Sequence, residues 1–390
     1  MINNRVKEFI DPLIQYGLLF FAFTSPLSIS LSQATLGFLV LVSAFKWISG
    51  DQRFIRRTPL DVPFLFFTLV TLVASIASVN PRLSILEGLK SLWLISIAYL
   101  IAFHVTEERF IKQLLISLLA GTTLEILYGL TQAFSGLESI LNSASGRVSV
   151  PRGFFSHKMT FAGFLMITTQ IVFGLFLLSR SHKEKITRAS MAILLITGVL
   201  LSRTRGAWLG LLSAWLLMGW LRGKTRVVLS LLFAFLVLTF ALESVFQLGI
   251  VDRFKSIFSI EKNLDRVYIW GSTLDMIRDY PLLGTGPGTY KVVIPPYREK
   301  FDYHYLNLSH AHNNFIQQTA EKGLLGFFAL LWLVLLTLRV GLSTYFGIDE
   351  QQHFEKGLAL GCLGAIVSFH IEGIFEANFG DEEIAMLLWL

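Results

Sequence analysis

The chain has 390 residues, 53% of them hydrophobic and only 15% charged, with a formal net charge of +6 and a mean hydropathy of +0.61. A soluble domain carries about a quarter charged residues, so this composition excludes an ordinary soluble enzyme. The basic balance then serves to orient loops at a membrane rather than to bind nucleic acid, which is not an expected partner. Cys362 is the only cysteine, so neither an internal disulfide nor a cysteine-based metal site is available.

Taken in chain order, the apolar residues fall into uninterrupted runs instead of amphipathic stripes, as a lipid solvent requires. The first run, Leu13–Ser32, leads straight into further runs, which is unlike a cleavable signal peptide. Spans are predicted over 13–31, 33–48, 60–79, 90–105, 110–134, 158–179, 186–202, 206–222, 226–247, 313–341, 357–374 and from 383 onward. The expected fold is thus an all-α polytopic membrane protein of about twelve transmembrane helices, each near the length that a bilayer core sets. Ser25-Pro26 and Ser32 interrupt the first two runs, which can also be read as a single re-entrant pair. The last run is still apolar at Leu390, and the reading leaves a short or truncated final helix. Three regions follow: helices one to nine over 1–247, a loop domain over 248–312, and helices ten to twelve over 313–390.

The loops alternate in character. Arg5 and Lys7, then Lys46 with Arg53, Arg56 and Arg57, the mixed segment from Glu107 to Lys112, the segment Arg180–Arg188, and Arg222 with Lys224 and Arg226 all fall on one side. The positive-inside rule makes that side cytoplasmic, together with both termini. The other side nonetheless holds Arg82, Arg147, Arg152, Arg203, Arg205, Arg253, Arg266 and Arg298. Singly, each can be a snorkelling anchor or an ion-pair partner. As a group they point to an outward-facing anion site, because arginine suits bidentate phosphate contact.

Four constellations stand out. Arg203-Thr-Arg205-Gly206 precedes a span, setting cations beside the free N–H groups and positive dipole end of a helix, where phosphate binds or an interfacial anchor sits. The loop Gly249–His312 is long enough to carry function or helices of its own. Within it, Asp265-Arg266-Val267-Tyr268-Ile269-Trp270 opens an amphipathic helix through Ile277, and Gly284-Thr285-Gly286-Pro287-Gly288 reads as a turn. His310-Ala-His312-Asn313-Asn314 leads into the tenth span, and a histidine at a helix start on the membrane surface can serve as general base, cap or interfacial residue. No acidic ligand stands near it in sequence, so no metal is expected. Finally, Arg147, Arg152 and Gly153–Lys158 form a basic, aromatic-flanked entry to the span from Met159, fit for a phosphate or sugar contact or for anchoring.

Several absences narrow the chemistry. Gly219–Thr225 is one residue short of a P-loop and lies at a cytoplasmic span end, and the chain has no D-x-D pair for a metal-bound nucleotide sugar. No carboxylate pair of the glycosidase kind stands out in the outer loops. Neither ATP nor a metal-bound nucleotide is expected, and an activated lipid pyrophosphate would account for the outward arginines.

These residues resemble the O-antigen ligase family. His312-Asn313, nine residues, then Gly323-Leu-Leu-Gly326 fits the signature H-[NSQ]-x9-G-x-x-[GTY]. Arg203-Thr-Arg205-Gly-Ala-Trp-Leu-Gly210 is similar to the arginine segment that opens a central span in that superfamily. Asp265–Trp270 followed by Pro281-Leu-Leu-Gly284-Thr-Gly286 is similar to its periplasmic-loop pattern. The resemblance covers roughly residues 145 to the end and implies a GT-C-like, metal- and ATP-independent glycosyltransferase with no cofactor. It implies a multi-pass protein of the bacterial inner membrane with its active site toward the periplasm. The donor would be a glycan on undecaprenyl pyrophosphate and the acceptor a sugar hydroxyl of lipid A–core. The resemblance makes His312 the base and Arg205 and Arg266 the clamps on pyrophosphate, with Arg203, Arg152, Arg147, His310 and Tyr268 as further contacts. Direct attack would invert the anomeric carbon. An O-antigen or exopolysaccharide polymerase is the nearest alternative, followed by a protein O-oligosaccharyltransferase and, in a different class, a transporter.

Overall fold

In the computed structural model, the described residues are 4–49, 56–142, 150–246, 249–259, 261–298 and 309–390. Helix accounts for 80% and no strand occurs among them. In chain order the first helices are α1 (Asn4–Thr24), α2 (Ile29–Ile48), α3 (Asp61–Ile76), α4 (Pro81–Trp93), α5 (Ile95–His104) and α6 (Glu108–Asn142). The central ones are α7 (Lys158–Leu177), α8 (His182–Leu201), α9 (Arg205–Leu221) and α10 (Thr225–Phe246). The loop region holds α11 (Ile250–Lys255), α12 (Leu264–Asp279), α13 (Tyr290–Val293) and α14 (Pro295–Arg298), and α15 (Asn314–Gly347), α16 (His353–Glu372) and α17 (Glu382–Trp389) complete the chain.

The predicted spans fall on helices, with 13–31 running across the break between α1 and α2 and 90–105 across that between α4 and α5. Among the described residues, seven helical segments are long and apolar enough to span a bilayer: 29–48, 81–104, 108–133, 158–177, 225–244, 314–347 and 353–372. Phe9–Thr24 and Asp61–Ile76 are apolar but shorter. The fourth span begins earlier than the hydropathy suggested, because Asn80 caps α4 by accepting from the Leu83 N–H at 3.2 Å and Pro81 occupies the first turn.

The bundle is built around α7, which packs against α8, α9 and α16 and is buried along almost its whole length. With no water to drive helices together in lipid, close backbone approach has to supply the attraction. Gly174 and Gly361 provide it: an added Cβ on Gly174 would lie 2.4 Å from the Gly361 nitrogen. At the rim, α10 turns Leu229, Phe233, Val237 and Phe240 outward, as a lipid-facing helix does.

The two ends of the bundle differ chemically. At one end the basic loops are tied together: Arg222 and Lys356 each bridge Glu350 at 2.9 Å, and Arg180 donates to the Gln351 carbonyl at 2.6 Å. At the other end lie the starts of α7, α9 and α15, the finish of α16 and the loop helices. The predicted amphipathic loop helix is α12, whose buried side (Ile269, Met276) packs with Tyr290 and Ile294 into a small core of its own.

Candidate active site

The His-Asn-Asn segment is held by backbone geometry before any chemistry is considered. Asn313 is the N-cap of α15, its Oδ1 accepting from the Ile316 N–H at 3.0 Å. Its amide donates to the Ile374 carbonyl at 3.0 Å, and the Asn314 N–H donates to the Gly373 carbonyl at 2.7 Å. The start of α15 is therefore stitched to the segment that follows α16. His312 reaches this position with φ of 49°, a left-handed conformation that a non-glycine residue holds only when its surroundings enforce it.

That turn presents the His312 ring to Glu376, with Nδ1 at 3.1 Å from Oε1. His310 stands beside it, ring centroids 4.1 Å apart, with Nε2 at 3.7 Å from the same carboxylate oxygen. Burial works to raise the Glu376 pKa, but the hydrogen bond from His312 and the fields of both histidines outweigh it and hold the carboxyl below its ordinary value. The His310 ring, desolvated and next to His312, is pushed down to about 4 and is neutral at working pH. An ionised carboxylate can only accept, so His312 donates through Nδ1–H and keeps its lone pair on Nε2. Carboxylate, oriented imidazole and a free basic nitrogen form a general-base unit.

Glu376 lies between two cavities of opposite character. On one side a cleft of about 40 Å³ is lined by Lys158, Arg203, Arg205, Arg253, Arg266, Glu372 and Glu376. It adjoins a pocket of about 410 Å³ that shares Lys158, Arg203 and Arg253, with Asp252 as the carboxylate among its lining residues. Arg205 is held from below, donating to the Ser256 carbonyl at 2.9 Å and to its hydroxyl at 3.1 Å. Arg266 comes from the first turn of α12 and lies 5.8 Å over the Phe375 ring. Burial depresses its pKa against the pull of Glu376; the residue remains a cation and gains force from a poorly hydrated setting. Converging guanidinium groups of this kind fit an anion with several phosphate oxygens. On the other side of Glu376 is a polar cavity of about 590 Å³.

The structure thus gathers Arg203, Arg205, Arg266, His310 and His312 at one end of the bundle. Tyr268 instead packs with the loop core around Ile269. Arg152 is exposed and directs its guanidinium to the Ser156 carbonyl at 3.5 Å, away from the cationic cleft, and Arg147 lies outside the described residues. Glu376 and Glu372 escaped the sequence reading, whereas Arg253 and Lys158 stood among its outward basic residues without being singled out as contacts. The crowding of Glu372, Glu376, Asp381, Glu382 and Glu383 into an otherwise apolar C-terminal stretch was the signal for the first two.

The expectation that no acidic ligand joins the histidines needs correction. The donor atoms of His310, His312 and Glu376 lie within 4.8 Å of one another, close enough to hold a metal ion. The adjoining Arg205, Arg253 and Arg266 oppose a divalent cation there, and their charges favour an anion instead.

The glycine motifs are structural. Gly323 breaks α15 with φ of 66°, and the Gly284–Gly286 turn docks into that break. Thr285 N–H donates to the Ala320 carbonyl at 3.0 Å, Gly286 N–H to Glu321 at 2.8 Å, and Leu324 N–H to Pro281 at 2.8 Å. A Cβ on Gly323 would sit 2.1 Å from the Leu282 carbonyl, and one on Gly284 would sit 2.4 Å from the Glu321 backbone. Just below, buried Glu321 accepts from Gln317 at 2.9 Å and Lys322 lies 4.2 Å over the Phe67 ring.

No curated protein matches the chain. Residues 190–331 match the family model described as O-antigen ligase, a stretch that contains Arg203, Arg205, Arg253, Arg266, His310 and His312. Over that stretch, at residues 190–331, the chain is similar to the O-antigen ligase family.

Proposed function

We propose that this chain transfers a glycan from undecaprenyl pyrophosphate to a sugar hydroxyl of lipid A–core, at the periplasmic face of the inner membrane. The observation that carries the reading is Glu376, paired with His312 at 3.1 Å, standing where a cationic cleft meets a polar cavity. The acceptor hydroxyl loses its proton to Nε2 of His312 as its oxygen attacks the anomeric carbon. The carbon–oxygen bond to pyrophosphate breaks, and the charge growing on that leaving group is met by Arg205 and Arg266. Glu376 stabilises the imidazolium that results. A single displacement inverts the anomeric centre. The pyrophosphate linkage supplies the driving force, so neither ATP nor a metal takes part.

Purified protein given undecaprenyl-pyrophosphate-linked polymer and lipid A–core is expected to form the conjugate, with activity retained in EDTA. His312→Ala should lower turnover by about 10²- to 10⁴-fold, the usual worth of a positioned base. Arg205→Lys and Arg266→Lys should both remain impaired, because an ammonium lacks the bidentate fork. Full activity of either lysine variant, loss of activity in EDTA, or undiminished turnover by His312→Ala would sink this mechanism. In the native host, deletion should leave long polymer on its lipid carrier and bare lipid A–core; core capped by a single repeat would instead identify a polymerase.

A further inference from the structure

We propose that Trp270 and His310 are positioning residues, which hold the peptide between Ala311 and His312 in the orientation that aims the His312 ring at Glu376. This rests on the glycan-transfer reading, in which His312 is the base, and names what keeps that base in place. With φ of 49°, His312 has a conformation that persists only where neighbouring groups over-determine it. Both polar groups of the peptide before it are engaged. The Trp270 Nε1–H donates to the Ala311 carbonyl at 3.0 Å, and the His312 N–H donates to Nδ1 of His310 at 3.3 Å. A peptide unit is a rigid plane, so turning this one over would break both bonds together and swing φ of His312. The plane before it is pinned as well. The Ala311 N–H donates to Gln317 Oε1 at 2.7 Å, and the Gln317 amide donates to buried Glu321 at 2.9 Å.

Trp270 stands four residues after Arg266 in α12, so both project from one face of that helix. The placement of α12 that brings Arg266 to the cationic cleft therefore brings the indole to Ala311. That residue is fully buried, where a carbonyl without a donor is costly, and the indole N–H supplies the donor. His310 accepts at Nδ1 and so carries its proton on Nε2, the nitrogen that faces Glu376 at 3.7 Å. Its ring thus braces the turn on one edge and turns a second N–H toward the carboxylate that serves His312 on the other. Neither residue has to touch substrate or give up its proton to do this.

Three variants, each checked for native elution in size exclusion, separate the hydrogen bonds from the bulk of the side chains. The benzothiophene analogue of tryptophan at position 270 keeps the ring shape and removes the N–H. His310→Phe removes the Nδ1 acceptor. His310→Asn restores an acceptor for the N–H two residues on, as in an Asx-turn. Full-length protein with isotope-labelled histidine is measured in lipid by solid-state NMR, the His312 signals being identified by their loss in His312→Ala. The signal of the His312 Nδ1–H bonded to carboxylate should persist in the unaltered protein and in His310→Asn, and be shifted or lost in the other two. In the transfer assay those two should lose about tenfold in kcat, as expected when one hydrogen bond no longer holds the aimed ring, with both KM values unchanged. His310→Asn should recover most of that loss. A His312 signal unmoved in both variants overturns the proposal. So does a raised acceptor KM at unchanged kcat in His310→Phe, which would make His310 a substrate contact. If the signals respond as stated but even the unaltered protein forms no conjugate, the transfer reading fails while the positioning stands. Conjugate formed at full rate with either bond removed sinks the positioning and leaves the transfer reading intact.

Discussion

At His312 a strained backbone, a carboxylate from a distant segment and a second histidine meet, and each has a separable consequence. Glu376→Gln preserves shape and can still accept from Nδ1–H, but it removes the charge that stabilises the imidazolium. Its kcat should fall by about 10²-fold, toward that of a weaker base, while acceptor KM changes less; an unchanged kcat would remove Glu376 from the mechanism. His310 makes a different prediction, on pH. Its folded value of about 4 lies below the ordinary 6.5, so the unfolded chain binds the extra proton between those values. Stability conferred by the neutral ring is complete above about 6.5 and is lost as pH falls toward 4. Thermal unfolding followed by size exclusion should show that decline, and His310→Gln should flatten it within the same window.

The element that positions His312, the proposed base, is α15, and its shape depends on the break at Gly323. Because the Gly284–Gly286 turn inserts its N–H groups into that break, this part of the loop region and α15 are tied together. Gly323→Ala imposes a left-handed conformation on alanine, costing about 1–2 kcal/mol, and adds a methyl against the Leu282 carbonyl. A lowered Tm with reduced activity is expected. Gly347→Ala, near the far end of the same helix and with open space around it, should alter neither. Equal behaviour of the two variants would show that the docking is incidental. The glycines were visible in the sequence as a motif. Their reason was not, since two motifs about forty residues apart explain each other only once the turn lies against the helix.

On the scale of the whole molecule, the chain separates charge by end: Glu350 gathers Arg222 and Lys356 at one, and Arg203, Arg205, Arg253 and Arg266 converge at the other. In a Cys362→Ser background, Glu261→Cys should react with a membrane-impermeant maleimide in intact spheroplasts. Lys183→Cys should react only after lysis. The opposite pattern would invert the orientation and place the arginines toward the cytoplasm. By itself the sequence determined the helices, the polarity of the loops and the histidine and arginine motifs, because apolar runs and local motifs are properties of neighbouring residues and a lipid solvent leaves little choice but helix. Among the described residues, seven helical segments are long and apolar enough to cross a membrane, where hydropathy marked about twelve apolar runs. Only the tertiary structure decided that Glu376 serves His312, that Arg253 and Lys158 join the cationic cleft, and that Arg152 and Tyr268 stand apart from it. Those pairings link residues far apart in the chain, and the packing of α7, α9, α15 and α16 at one end of the bundle sets them.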